Sequence, residues 1–204
     1  MPSRNTVRLD SPDSYYHVYA RGASKQTIFL DPNDFNYFLH LLARYLSRKP
    51  AESKTGIVYP HYYDKIELVS YCLMGNHFHL LVYQREKGVL SQFMKSLMTS
   101  YSRYFNFKYN RSGPMFENRY KSSLITNDSY LMHISRYIHL NPRSWKRYPY
   151  SSIGYYRSGG EPEWLQTSRA LDQHNTRQDY INFVSDYEQH KEMLEQIKAE
   201  LADS

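Results

Sequence analysis

The sequence is poor in cysteine and lacks any long apolar run. Its 204 residues include a single cysteine, Cys72, which excludes an internal disulfide and a zinc site built from several cysteines. No apolar stretch is long enough for a membrane-spanning helix, and the polar first residues lack the apolar centre of a signal peptide. These absences predict a cytoplasmic protein with no membrane partner.

Positive charge and tyrosine are abundant by contrast. The net charge is +6, which favours a polyanionic partner, with nucleic acid as the first candidate and an acidic membrane surface as the second. The 22 tyrosines offer flat faces on which the bases of an unpaired strand can stack.

Hydrophobic periodicity predicts six alternating elements in the first three quarters of the chain. Strand patterns and helical patterns follow one another as strand, helix, strand, strand, helix, strand. This order predicts an α+β fold with a ferredoxin-like (RRM-like) antiparallel sheet and helices packed on its faces. The last of these six elements is a strand predicted over Met115 to Ile125. A further helix is predicted after it, from about Ser129 to Leu140.

Gly159-Gly160 predicts a domain boundary. We therefore expect one domain over residues 1–158 and a small helical C-terminal extension over residues 159–204. Two short helices are expected in the extension, followed by a charged helix over residues 188–203 to which the sequence assigns no chemistry.

The central motif is His77-Phe78-His79, which follows a predicted hairpin turn at Gly75-Asn76. We expect this turn to need a positive φ, which glycine adopts readily. Side chains alternate across a strand, so both imidazoles should point to one face and form half of a metal site. The alternative is a pair of hydrogen-bonded histidines on a half-buried strand.

The predicted third helix offers two more candidates. Tyr137 and Asn141 are four residues apart and therefore lie on one helical face, with His133 one turn earlier. A tyrosine oxygen can attack phosphorus when a cation positions and polarises the phosphate, and an asparagine amide oxygen can bind Mg²⁺. Imidazole suits Mn²⁺ or Zn²⁺ better, so the metal stays open. The alternative for Tyr137 is a partly buried helix tyrosine.

Three segments together resemble the REP-associated tyrosine transposases of the HUH superfamily. They are His77–His79, Met115–Lys121 and Ser135–Arg143. The resemblance implies a metal-dependent endonuclease and strand transferase that acts on hairpin single-stranded DNA. In this family a single tyrosine forms a 5′-phosphotyrosine link and releases a 3′-hydroxyl.

Carried over to this sequence, the resemblance makes Tyr137 the nucleophile and His77 and His79 ligands of Mg²⁺ or Mn²⁺. Asn141 is the expected third ligand, although Pro142 should pull it toward a non-helical conformation. Relatives act either alone or as dimers that exchange nucleophile helices, so a monomer and a homodimer both stay open. The site of action would be the nucleoid.

DNA contacts are expected from the cations Arg21, Arg119 and Lys121, which fall in stretches that flank the predicted site. Solvated surface charge is the alternative for each. At the level of function, the alternative is a non-catalytic single-stranded nucleic-acid-binding module with a vestigial site. A zinc deaminase is excluded because its paired-cysteine signature is missing.

Overall fold

The computed structural model describes residues 10–186 as a four-stranded sheet with six α-helices. The strands are β1 (Ser14–Arg21), β2 (Ile66–Met74), β3 (His77–Gln84) and β4 (Lys121–Ile125). The helices are α1 (Pro32–Leu46), α2 (Val89–Lys108), α3 (Asp128–Leu140), α4 (Ile153–Ser158), α5 (Ser168–Leu171) and α6 (Arg177–Ser185). Short 3₁₀ turns lie at Ala23–Lys25 and Trp145–Arg147. Within residues 10–186 we find no helix of the length and apolarity that a bilayer crossing requires.

The sheet has the strand order β2-β3-β1-β4, and all of its neighbouring strands are antiparallel. The two strands in the middle, β1 and β3, place Tyr19 opposite His79 and Arg21 opposite His77. With α1 between β1 and β2, and α2 between β3 and β4, this is the ferredoxin-like arrangement. The predicted fold class is therefore confirmed.

The start of α1 illustrates how local chemistry sets an element. Asp31 accepts hydrogen bonds from the backbone N–H groups of Asn33 (2.8 Å) and Asp34 (3.2 Å). Asp34 in turn accepts from the N–H of Asp31 at 3.2 Å, which completes a capping box in front of Pro32. A cap of this kind contributes about 1 kcal/mol to the stability of the helix, which begins at the next residue, Pro32.

Two apolar cores lie on opposite faces of the sheet. The first packs α1 and α2 onto the sheet and includes Phe78 and Leu80. The second packs α3 onto the other face and includes Leu81. Because side chains alternate along β3, His77 and His79 lie on the same face as Leu81, beside α3. This alternation places the histidine pair next to the helix that holds Tyr137.

The described part of the predicted extension, residues 159–186, packs into the second core. Ala170 of α5 and Tyr180 and Val184 of α6 are fully buried there. Leu165 also forms a parallel backbone bridge with Leu68 of β2. The boundary after residue 158 stays a prediction, and the charged helix predicted over residues 188–203 lies outside the described residues.

The turn between β2 and β3 differs from its predicted geometry. Neither Gly75 nor Asn76 has a positive φ. The carbonyl of Gly75 accepts from the N–H groups of Ile28 (2.8 Å) and Phe29 (3.0 Å), and that of Asn76 accepts from Gly22 (2.9 Å). These long-range hydrogen bonds determine the shape of the turn, so the expectation of a positive φ is wrong.

The last strand is shorter than predicted. Pairing begins at Lys121, and the preceding residues from Met115 onward leave the sheet. Met115 accepts from the N–H of Ala23 at 2.9 Å, and the N–H of Glu117 donates to the carbonyl of Arg21, also at 2.9 Å. Because their backbone groups pair around the end of β1, these residues form a wall beside the histidine pair.

Candidate functional site

A pocket of about 530 Å³ lies between β1, β3 and α3. Its lining includes six of the seven residues predicted from the sequence, namely Arg21, His77, His79, Lys121, Tyr137 and Asn141. The seventh, Arg119, lies in a neighbouring groove. Residues from four separate parts of the chain therefore meet at one place.

The aromatic rings of the site are in close contact. The ring centroids of His77 and His79 are 5.0 Å apart, and Tyr137 meets His79 edge-on at 5.4 Å. Tyr19 of β1 stacks nearly parallel on His79 at 5.7 Å. The phenol of Tyr137 is thus held beside the histidine pair by the packing of α3.

Hydrogen bonds determine which nitrogen of His77 is available. The side-chain amide of Asn76 donates to the carbonyl of Lys25 at 3.2 Å, so its oxygen is the atom that faces His77. That oxygen is 2.6 Å from Nδ1 of His77, a contact that requires the ring proton on Nδ1. The Nε2 atom of a neutral His77 therefore carries a lone pair.

Asn141 presents its amide oxygen to the same point. Its Nδ2 group donates to the carbonyl of Tyr137 at 3.2 Å, which leaves Oδ1 at 3.4 Å from Nε2 of His77. Two atoms that both carry lone pairs then face each other, and a cation bound by both removes this repulsion. The backbone of Asn141 is helical, with φ −54° and ψ −47°, so the expected departure before Pro142 is wrong.

Nδ1 of His79 lies 3.0 Å from Nε2 of His17, a fully buried residue of β1. This contact leaves Nε2 of His79 as the nitrogen that can bind a ligand.

His17, Tyr19 and Asn76 are missed by the sequence predictions. The alternation of His17, Tyr19 and Arg21 along a strand is the signal that could have placed the first two on the site's face.

The histidines of the site are neutral at pH 7. Burial lowers the pKa of His79 well below its ordinary value of 6.5, and the charges of His17, His77 and Arg21 lower it further. Burial also lowers the pKa of His77, although the nearby amide oxygen of Asn141, which favours a proton on the ring, opposes this shift. Neutral imidazole is the form that binds metal ions.

The donor set suits a divalent cation that keeps open positions. Within residues 10–186, no group of three or more His, Cys, Asp or Glu side chains is arranged as a metal site. The third protein donor beside His77 and His79 would therefore be the Asn141 amide. Two imidazoles and one amide oxygen leave coordination positions for water and phosphate, as Mn²⁺ and Mg²⁺ require. The residues present thus fit the expected group.

The cations near the site occupy two adjoining depressions. Arg21 is exposed at the pocket, and the ammonium group of Lys121 lies 5.8 Å from the centre of the Tyr19 ring. Arg119 lines a groove of about 1010 Å³ between α2 and residues 114–120. The pocket and the groove share three wall residues, Glu117, Asn118 and Tyr120.

Buried hydrogen bonds attach α3 to the rest of this chain. His139 contacts the hydroxyls of Tyr180 and Ser152, each at 2.7 Å, and Ser135 contacts the Tyr180 hydroxyl at 2.8 Å. Ser152 is in turn bonded to the N–H of Tyr71 on β2 at 2.9 Å. The position of Tyr137 relative to the histidine pair is therefore determined within one chain.

Comparison with known proteins connects this geometry to a family. Residues 58–141 match the family model described as "Transposase IS200 like". This segment contains His77, His79, Tyr137 and Asn141, and the match confirms the predicted resemblance to the tyrosine transposases over that range. No curated protein matches the chain.

Two solved structures are similar to the chain. A REP-associated tyrosine transposase bound to a REP hairpin is 13% identical and gives a TM-score of 0.53, covering 79% of this chain and 90% of that one. A candidate transposase from Deinococcus radiodurans R1 is 17% identical with a TM-score of 0.38, covering 66% of this chain and 95% of that one. The first of these likenesses supports the fold.

Proposed function

We propose that this chain, which matches the IS200-like transposases over residues 58–141, is a single-tyrosine DNA strand transferase and single-strand endonuclease. The observation that carries the proposal is the meeting of one phenol, two imidazoles with available Nε2 atoms and one amide oxygen in a single pocket. We place its action in the cytoplasm at the nucleoid, since DNA is the proposed partner.

The proposed chemistry needs a divalent cation, Mg²⁺ or Mn²⁺, with His77, His79 and Asn141 as its protein ligands. Such a cation polarises the scissile phosphate and stabilises the charge that develops on it. Tyr137 attacks the phosphorus, so that an Oη–P bond forms while the P–O3′ bond breaks. The 3′-oxygen takes up a proton as the phenol loses one. The 5′-phosphate then stays on Tyr137 until another 3′-hydroxyl displaces it, which rejoins strands without ATP.

Tyr137 is favoured over the pocket's other phenols because it shares a helix with Asn141. The nucleophile and the amide ligand are one turn apart on α3, so any adjustment of the helix moves both together. Tyr19 instead lies flat against His79, beneath Lys121, where its ring face is suited to stacking.

Hairpin DNA of the REP type is the proposed substrate, because the fold relative described above is bound to a REP hairpin. Arg21 and Lys121 would neutralise phosphates at the pocket, and Arg119 would do so in the adjoining groove. Since the two depressions share a wall, we propose that the single strand continues from one into the other.

One chain should be sufficient for cleavage, because β3 and α3 of the same chain supply all four central residues. Mixing inactive His77→Ala and Tyr137→Phe proteins tests this point. We expect the mixture to form no adduct, since neither chain holds a complete site. Recovery of activity would show that partners exchange their α3 helices in a dimer.

The decisive experiment is a covalent-adduct assay. The protein is incubated with end-labelled hairpin oligonucleotides that carry a single-stranded 5′ extension, with Mg²⁺ or Mn²⁺, and is then denatured and separated on a gel. We expect a protein–DNA adduct from wild type, none from Tyr137→Phe, and adducts from the matched variants Tyr19→Phe and Tyr120→Phe, whose rings line the same pocket.

Two results would contradict the proposal. An undiminished adduct from Tyr137→Phe would remove this residue from the chemistry. Salt-sensitive DNA binding without any adduct, under either cation, would favour the non-catalytic binding module instead.

A further inference from the structure

His17 is a buried polar residue that the proposed chemistry does not yet use. It lies on β1 and is fully buried. Its Nε2 atom is 3.0 Å from Nδ1 of His79, whereas its own Nδ1 atom is buried without a hydrogen-bond partner among the described residues. Unsatisfied buried groups are rare in folded proteins and require an explanation.

The contact between His17 and His79 allows two proton arrangements. In one, Nε2–H of His17 donates to Nδ1 of His79, and the proton of His79 then occupies Nε2, the nitrogen available to the pocket. In the other, Nδ1–H of His79 donates to Nε2 of His17, and Nε2 of His79 carries a lone pair. Only the second arrangement lets His79 bind a cation.

The second arrangement leaves His17 with an unpaired N–H group, which is the less common kind of buried defect. The first leaves an unpaired acceptor. Without a cation the first arrangement is therefore favoured, and ligation of a cation by Nε2 of His79 selects the second. The unpaired Nδ1 atom of His17 therefore follows from this role. When Nε2 of His17 accepts the hydrogen bond from Nδ1–H of His79, the proton of a neutral His17 must lie on its own Nδ1.

We infer that His17 is a positioning residue for the cation site, acting as the acceptor for Nδ1–H of His79 and fixing the orientation of that ring. This inference rests on the proposed function. His17 also stacks on His79, with ring centroids 5.1 Å apart, and meets the edge of Tyr137 at 5.8 Å. It therefore contacts both a metal ligand and the nucleophile from beneath. Partners of this kind orient ligating histidines and raise their basicity.

Asn76 plays the corresponding part for His77, and the two differ in one useful way. Asn76 has an amide donor satisfied by the Lys25 carbonyl, so its acceptor atom is determined in advance. His17 has no such second hydrogen bond to any described residue, so its tautomer can follow that of His79. The ligand pair thus combines one histidine with a determined tautomer and one whose tautomer responds to the cation.

The test compares three variants by Mn²⁺ binding to the DNA-free protein, measured by electron paramagnetic resonance. His17→Phe fills the space without an acceptor. His17→Gln can place an amide oxygen near the former Nε2, whereas His17→Asn is equally polar and too short to reach His79. We expect Mn²⁺ affinity to fall about 10- to 100-fold in the Phe and Asn variants, and Gln to stay within about threefold of wild type.

A spectroscopic measurement on wild type is independent of how the variants fold. With Mg²⁺ bound, imidazole ¹⁵N shifts should place the His79 proton on Nδ1 and leave Nε2 unprotonated. Thermal unfolding of the variants provides a control, since a purely structural role would change the melting temperature in Gln and Asn alike and leave Mn²⁺ affinity unchanged.

The outcomes separate this inference from the proposed function. Loss of Mn²⁺ binding in His77→Ala, together with wild-type binding in His17→Phe, would overturn the role of His17 and leave the cation site standing. Unchanged Mn²⁺ binding in both would overturn the cation site itself. A proton on Nε2 of His79 in the Mg²⁺-bound protein would overturn the inference directly.

Discussion

Both faces of the sheet bury polar groups, but the hydrogen bonding of these groups differs between the two faces. On the face covered by α1 and α2, the side chain of Asp34 is completely buried, and its carboxylate accepts hydrogen bonds from Lys108 (2.7 Å), Tyr104 (3.1 Å) and Tyr109 (2.8 Å). On the face covered by α3, His17 has a buried nitrogen without a hydrogen-bond partner within residues 10–186, and two acceptor atoms of His77 and Asn141 face each other.

This difference indicates what each cluster is for. A buried charge whose partners are all present connects the elements around it and belongs to the fold. A polar cluster whose donors and acceptors do not balance in the described part of the chain is suited to an added partner, which in the proposed function is a cation and a phosphate. Substitutions in the Asp34 cluster should therefore mainly lower stability, whereas substitutions around His77 and His79 should mainly lower activity.

The largest expected effect is on activity at the α3 face. His77→Ala should reduce adduct formation by about 100-fold or more, because it removes one of the two proposed imidazole ligands. The free energy of unfolding should change by less than about 1 kcal/mol, since the side chain is only half-buried. Urea unfolding and the adduct assay measure the two quantities.

His61→Ala is the matched control for that substitution. His61 is also half-buried and contacts the carbonyl of Ser47 at 2.6 Å, away from the pocket. Its replacement should leave adduct formation unchanged. Equal losses of activity in both variants would indicate that histidine removal acts through the fold, and the contrast between the two faces would fail.

The next effect is on stability at the opposite face. Asp34→Ala should lower the free energy of unfolding by about 3 kcal/mol, because it removes the central acceptor of a buried network and leaves its donors unpaired. Asp31→Ala, which removes the more exposed partner of Lys108 and the helix cap, should cost about 1 kcal/mol. Adduct formation per folded molecule should stay at the wild-type level in both. A smaller loss for Asp34 than for Asp31 would contradict the assignment.

Acid should weaken the α3 face through His139. Burial lowers the pKa of this histidine from its ordinary 6.5 to about 3. The unfolded chain therefore binds a proton near pH 6.5 that the folded chain refuses, so the contribution is complete above pH 6.5 and is lost as the pH falls toward 3. The loss is about 1.4 kcal/mol per pH unit, or about 2 kcal/mol between pH 6.5 and 5.

Urea unfolding at pH 7.5 and pH 5 measures this loss. His139→Gln, which cannot titrate in this range, should show a smaller decrease between the two pH values than wild type. Amide hydrogen exchange should show α3 losing protection before α1 as the pH falls. The same decrease in both proteins would mean that other groups carry the acid sensitivity.

Most of the fold was predictable because its signals are local. The alternation of Phe78 against His77 and His79 depends only on neighbouring residues and is found as predicted, and the Asp31 cap likewise involves only residues close in sequence. The conformation of the β2–β3 turn was not predictable, because hydrogen bonds from the backbone N–H groups of Gly22, Ile28 and Phe29 determine it. Long-range contacts of this kind leave no trace in a short window of sequence.

The residues that line the site were largely predictable, whereas the contacts that position them were less so. The alternation of His17 with Tyr19 and Arg21 could have placed it on the face of the site, but its contact with His79 depends on the pairing of β1 with β3, a register that composition and spacing do not give. Asn141 was expected to leave the helix before Pro142. Its own amide takes the place of a backbone donor at the Tyr137 carbonyl, and this bond keeps the residue helical.

The smallest predicted effect concerns the cations around the two depressions. Arg21→Ala, Lys121→Ala and Arg119→Ala should each weaken binding of a single-stranded oligonucleotide about fourfold at 0.15 M salt, because each removes one proposed phosphate contact. The slope of log affinity against log salt should fall by about 0.7 for each contact removed. Lys49→Ala is the control, since this exposed lysine follows α1 and lines neither depression. If the salt slope changed as much for Lys49→Ala as for Arg119→Ala, DNA binding would depend only on the net charge of the protein. The pocket and the groove would then not define a path for the strand.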